Sequence, residues 1–228
     1  MSGRKTVKIC LVDDHAVVRA GYRRFLEQEP GFEVTAEAAS GEEAYQLLRT
    51  HTPDIVILDL NMPGEGGLST LRRLKARWPL IPVLVFSMHD HVTFAIQATR
   101  AGASGYITKS SDPGLMVGAV RSVLAGMLVM SPDIASKVAQ MGHSAIAGPT
   151  LGLSVREFDI FRMIASGKSH ESIAELLCLS PKTVANNHSL IRQKLEITND
   201  VELLQLAIAC GAVEAQSTRQ HDDGVASV

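Results

Sequence analysis

Short apolar runs, each closed by a charged or hydroxyl-bearing residue, alternate with helical patterns through the first half of this chain. Val7–Val12 leads into Asp13 and Asp14. Ile55–Leu58 is closed by Asp59, with Asn61-Met62-Pro63 just beyond. Residues 83–86 end at Ser87, and Gly105–Thr108 ends at Lys109. Runs of this length between helical stretches read as parallel strands of βαβ units. Ligands of such sheets gather at the carboxyl ends of the strands. Three carboxylates, a hydroxyl and an ammonium are therefore expected in one small cleft. Three like charges so close resist ionising together unless a cation joins them. A hard divalent cation, with room left for phosphate oxygens, completes such a set.

The periodicity predicts strands over 7–12, 33–38, 55–59, 82–87 and 105–108, with helices over 15–28, 41–50, 67–77, 91–101 and 113–126. This is an α/β pattern with a five-stranded, doubly wound parallel sheet. Ser40 is placed to cap a helix whose first turn carries Glu42 and Glu43. From 127 to 150 the texture changes and reads as a linker, with a short helix opening at Ser131-Pro132 and running to Met141. From 151 to 212 the pattern is wholly helical, with helices over 154–166, 170–178, 181–195 and 200–210. The stretch 213–228 is polar and aperiodic and reads as a flexible tail.

The same residues carry a resemblance. "LVDDH", "DIVILDLNMPGEGGL", "LVFSMHD" and "GASGYITKSSDP" resemble the receiver domain of two-component response regulators over about residues 5–126. The stretch "LSVREFDIFRMIASGKSHESIAELLCLSPKTVANNHSLIRQKL" resembles the LuxR-type helix-turn-helix. Together they look like a NarL/FixJ-type response regulator, with a flavodoxin-like receiver and an all-α DNA-binding domain. The resemblance implies that Asp59 is phosphorylated from a sensor histidine kinase. It implies that Asp13, Asp14, Asp59 and the backbone carbonyl of Asn61 hold Mg2+. Ser87 and Lys109 would contact the phosphoryl group, and Tyr106 would be the switch aromatic. Many receivers place proline directly after this lysine; here Ser110 stands there and Pro113 comes later.

In the second domain the resemblance places DNA contacts at Lys182, Thr183, Ala185, Asn186, Ser189, Arg192 and Lys194. Val184, Ile191 and Leu195 fall on the opposite, core-facing side. Asn186 can pair bidentately with adenine and is the expected base reader. Lys182, Thr183, Arg192 and Lys194 are expected at phosphates, which position without specifying. Residues 151–212 carry six Lys/Arg against seven Asp/Glu, a weak balance for a DNA binder. No acid lies between Glu175 and Glu196, however, so the footprint is locally positive. Leu203, Leu204, Ala207 and Ile208 line one side of the last helix, where the family makes a homodimer contact. Double-stranded DNA is thus the expected partner.

Two other classes compete. A hydrolase with an aspartyl nucleophile and Mg2+ would usually carry a second acid two residues on, where this chain has Asn61. A receiver acting by protein contacts alone is suggested by the near-neutral second domain and by Ala185, where many relatives have lysine. No apolar run is long enough for a membrane helix, and no signal peptide is read. Three cysteines at no metal-like spacing fit reduced thiols and a cytoplasmic location. His15 and His89, flanking the cleft, read as solvated loop histidines; His51, His91, His143 and His170 read as surface.

Overall fold

The computed structural model describes residues 6–141 and 149–213. Strands β1 (Val7–Val12), β2 (Phe32–Ala38), β3 (Ile55–Leu58), β4 (Val83–Ser87), β5 (Gly105–Thr108) and β6 (Val129–Met130) form one sheet in the order β2-β1-β3-β4-β5-β6. Every adjacent pair is parallel. Helices α1 (Ala16–Glu27), α2 (Gly41–Leu48), α3 (Gly67–Arg77), α4 (Val92–Arg100) and α5 (Gly114–Leu124) make the crossovers. All four residues of β3 are buried, as the apolar run requires for a central strand covered on both faces. One side of the sheet carries Val12, Val56, Leu58 and Val85, and the other carries Leu11, Ile57, Leu84 and Phe86.

The sheet has a sixth strand beyond the five expected. It is two residues long and exists through pairing of Val129 with Gly105 and Met130 with Tyr106. It is followed by α6 (Pro132–Met141), the short helix expected there. Ile134 of α6 is fully buried, and Lys137 donates to the Asp90 carbonyl, so this part of the expected linker packs on the sheet domain. The rest of that stretch, 142–148, and the tail from 214 onward lie outside the described residues.

Ser40 caps α2 by accepting from Glu43 N, and Glu43 in return accepts from Ala39 N. The loop after β3 folds tightly back on it. A Cβ on Gly67 would stand 2.3 Å from Leu60 Cα and 2.5 Å from the Asp59 carbonyl oxygen. That approach requires glycine at the start of α3.

A 3-10 turn at Pro149–Gly152 leads to α7 (Val155–Ala165), α8 (His170–Leu177), α9 (Pro181–Leu195) and α10 (Asp200–Ala209). Ser154 and Glu157 form a capping box on α7. Ser180 caps α9, with Pro181 at its first position. Cys178 takes a left-handed conformation (φ 52°) and turns the chain from α8 into α9.

The helical unit docks on α3 and α4. Ser69 Oγ donates to Asp159 Oδ2 at 2.9 Å, and Gln97 Nε2 donates to the Leu153 carbonyl at 3.0 Å. Phe94 meets Phe158 edge-on at 5.4 Å, and the Arg162 guanidinium lies over the Phe94 ring. No described helix is long and apolar enough to cross a membrane.

Candidate functional site

The carboxyl ends of β1, β3, β4 and β5 bring Asp13, Asp59, Ser87 and Lys109 together, as expected. Asp59 is 2% exposed. Its Oδ1 accepts from Asn61 N at 3.0 Å, and its Oδ2 accepts from Lys109 Nζ at 2.7 Å. The same ammonium donates to Asp13 Oδ2 at 2.6 Å. Burial raises the Asp59 carboxyl above its ordinary range, against the opposing hydrogen bonds from Asn61 and Lys109. Burial also works against the Lys109 charge, but its bonds to Asp13 and Asp59 outweigh it and leave the ammonium more firmly protonated. Lys109 thereby offsets part of the mutual repulsion of the acids.

Oxygens of Asp13, Asp14 and Asp59 and a ring nitrogen of His15 all lie within 4.8 Å of one another. Asp14 Oδ1 is buried without a hydrogen bond. His15 Nδ1 stands 3.0 Å from it, outside hydrogen-bonding geometry. An orphaned buried carboxylate oxygen beside two further acids suits a hard divalent cation such as Mg2+. Asp13 Oδ1, by contrast, is occupied by His15 N.

Ser87 Oγ faces Asn61 Oδ1 at 3.4 Å and accepts from His89 N. Tyr106 is buried, and its hydroxyl donates to the His89 carbonyl at 2.8 Å. Burial pushes that phenol well above its ordinary value. The loop after Lys109 keeps a trans peptide at Ser110, and Thr108 and Ser111 bond through their hydroxyls at 2.7 Å.

His89 is not the solvated loop histidine expected from the sequence. Its ring stacks on Phe94 at 3.8 Å and 7°, and burial pushes its pKa down to about 4. The neutral imidazole links the β4–α4 loop to the aromatic contact with α7. His91 likewise proves half-buried, not a surface residue.

On α9 the core-facing set is as expected: Val184 and Ile191 are fully buried and Leu195 nearly so. Lys182, Asn186 and Ser189 are exposed, while Thr183, Ala185 and Arg192 are half-buried on the rim. Lys194, expected at a DNA phosphate, is exposed and also has a partner within its own domain. Its ammonium donates to both carboxylate oxygens of Glu157 at 2.8 Å, and Glu157 is only 5% exposed. Burial disfavours the Glu157 charge, but Lys194 and the Ser154 cap hold its pKa below the ordinary value. Lys194 therefore ties α9 to α7. The Ser154-x-x-Glu157 spacing carried the capping signal, but nothing in the sequence joined Glu157 to a lysine 37 residues on.

Comparison with known proteins follows the same division. The family model described as "Response regulator receiver domain" matches residues 9–121, and that described as "Bacterial regulatory proteins, luxR family" matches residues 151–207. Response regulator GacA of Pseudomonas aeruginosa is 41% identical over 92% of this chain and 100% of its own length. Transcriptional activator protein ExaE of Pseudomonas putida is 40% identical over 89% of this chain and 96% of its own. RcsB from Salmonella enterica serovar Typhimurium, solved bound to promoter rprA with the phosphomimetic BeF3−, shares the fold. Its TM-score is 0.73 over 89% of this chain and 98% of its own, at 23% identity.

Proposed function

The chain belongs to the response regulators that join a receiver domain to a LuxR-type helix-turn-helix and bind DNA to regulate transcription, and from that premise we propose that Asp59 is the phosphoryl acceptor. The observation that carries this reading is the placement of its carboxylate. Asp59 closes β3 with Lys109 on one oxygen and Asn61 N on the other, beside the orphaned Asp14 oxygen.

The donor is a phosphohistidine on a sensor kinase. An Asp59 oxygen attacks phosphorus, the O–P bond forms, the N–P bond breaks, and the kinase histidine leaves with its electron pair. Asp13, Asp14, Asp59 and the Asn61 backbone carbonyl would hold Mg2+. When bound, the cation neutralises charge on the phosphoryl oxygens. Lys109 keeps the nucleophile ionised and then pairs with the phosphoryl group. Ser87 gives up its weak contact with Asn61 and donates to a phosphoryl oxygen. The His89 backbone follows Ser87, because its amide donates to Ser87 Oγ. The His89 ring then shifts against Phe94, and Phe94 against Phe158 of α7. Tyr106 reports on the same loop through the His89 carbonyl.

Lys182, Thr183 and Arg192 contact DNA phosphates, and Asn186 reads a base with Ala185 and Ser189 beside it. Lys182, Asn186 and Ser189 are already open to solvent while α7 is docked on α3 and α4. Phosphorylation thus acts through the arrangement of two copies more than by uncovering α9. On α10, Leu203 and Ala207 are buried in their own domain, whereas Val201, Leu204 and Ile208 are 65%, 40% and 40% exposed. That outer stripe is the homodimer contact.

Incubation with acetyl phosphate and Mg2+ tests the acceptor. The chain gains one phosphoryl mass, and Asp59→Asn gains none. An acid-labile label that persists in the variant would overturn the assignment.

A further inference from the structure

Three side chains in the helical unit, used by neither the receiver chemistry nor the DNA face, converge at one cleft. His170 is the first residue of α8, His188 lies in the middle of α9, and Asp200 opens α10. His170 Nε2 and His188 Nδ1 face each other at 3.1 Å, with the rings at 82°. The other ring nitrogen of His188, Nε2, lies 3.0 Å from Asp200 Oδ1. The cleft of about 460 Å³ is also lined by Lys168 and Glu171.

We propose that His170 Nε2 and His188 Nδ1 are a two-imidazole site for a borderline divalent transition metal, Zn2+ foremost. The spacing fits. Two imidazole nitrogens, each about 2.0–2.1 Å from one metal, stand roughly 2.9–3.4 Å apart for angles between octahedral and tetrahedral. Asp200 supplies the support that metal-bound histidines usually have: a carboxylate on the far nitrogen fixes the tautomer. With the His188 proton held at Nε2 by Asp200, Nδ1 carries the lone pair that faces His170. In the metal-free protein one proton on His170 Nε2 can bridge the two nitrogens; the metal takes that proton's place. Glu171 and Asp200 give the cleft two carboxylates against the single ammonium of Lys168, so the local field favours a cation. Water completes the coordination. Nitrogen ligands select Zn2+, Ni2+ or Cu2+ over Mg2+, so this two-imidazole site is chemically distinct from the mainly carboxylate set around Asp59. The bound metal fastens the start of α8 to the middle of α9.

The test uses the full chain and Zn2+ alone as probe, by titration calorimetry. Unmodified protein binds one Zn2+ more per chain than either His170→Gln or His188→Gln. Asp200→Asn keeps the site and weakens it by about tenfold. Zn2+ raises the thermal midpoint of the unmodified chain by a step that both histidine variants lose. In Cu2+-loaded protein the electron paramagnetic resonance spectrum shows coupling to two nitrogens, reduced in His170→Gln. Should His188→Gln fold poorly by circular dichroism, His170→Gln at the cleft rim decides. Identical stoichiometry and affinity in unmodified and variant chains would overturn the site and leave a plain imidazole–imidazole hydrogen bond. None of these readouts depends on phosphorylation or DNA, so they stand apart from the regulator reading.

Discussion

Asp159 sits at the contact between the helical unit and α3, is 3% exposed, and accepts from Ser69. Burial pushes its carboxyl from 3.8 up to about 6, in spite of the nearby Arg162 guanidinium and the Ser69 hydroxyl. A rise of about two units corresponds to about 3 kcal/mol against the ionised form. The sign follows from linkage: a raised carboxyl stabilises the fold fully below its unfolded range, near pH 4, and that stability is lost as pH rises through about 6. Asp159→Asn keeps an acceptor for Ser69 and removes the charge. The variant is therefore expected to be more stable than the unmodified chain at pH 7, by at most about 3 kcal/mol. The two are expected to converge toward pH 4. Urea unfolding followed by circular dichroism at pH 4, 5.5 and 7 measures the difference. Lower stability of the variant at pH 7 would refute the reasoning. It would mean that the buried Arg162 needs the Asp159 charge more than the burial of that charge costs.

Lys194→Ala leaves the Glu157 carboxylate without its charged partner, with only the Ser154 cap remaining, so the chain is expected to lose about 1–3 kcal/mol of stability; a pure phosphate contact would lower the salt slope of DNA binding without that loss. Asp14→Ala is expected to weaken Mg2+ binding by about tenfold or more, a carboxylate being lost from a sparse oxygen site; unchanged affinity in a Mg2+ titration would move the metal elsewhere. Asn186→Ala is expected to cost roughly 1–3 kcal/mol on the preferred duplex only, while Lys182→Ala weakens all duplexes alike and lowers the salt slope by about one; fluorescence anisotropy on specific and scrambled DNA separates the two.

The receiver sheet was legible because its strands are short apolar runs bounded by Asp, Gly and Pro, and because turn chemistry marks the helices between them. Helices α3 and α9 fall on their expected residues, one opening at a glycine that nothing larger can replace, the other at Ser180-Pro181. Strand β6 was not legible, since two residues carry no period and only pairing with Gly105 and Tyr106 makes them a strand. The cleft acids could be placed from sequence because each closes a strand. Partners joined only by the fold were out of reach. Ser69 and Asp159 are 90 residues apart, and Glu157 and Lys194 are 37 apart. His89 belongs with these: its stacking on Phe94 depends on how the β4–α4 loop closes over α4. In α10 the apolar stripe was visible, but which half of it faces inward was decided by packing against α7.

The central claim is that a phosphoryl group on Asp59 changes how two copies meet on DNA. The direct measurement is a titration of a two-fold-symmetric duplex and of its half-site, with and without acetyl phosphate, using the unmodified chain and Asp59→Asn. The phosphorylated chain is expected to bind the symmetric duplex as two copies and more tightly than the unphosphorylated chain, and to bind the half-site weakly. Asp59→Asn is expected to show no response to acetyl phosphate on either duplex. Equal binding of phosphorylated and unphosphorylated chain, or an unchanged response in Asp59→Asn, would contradict it.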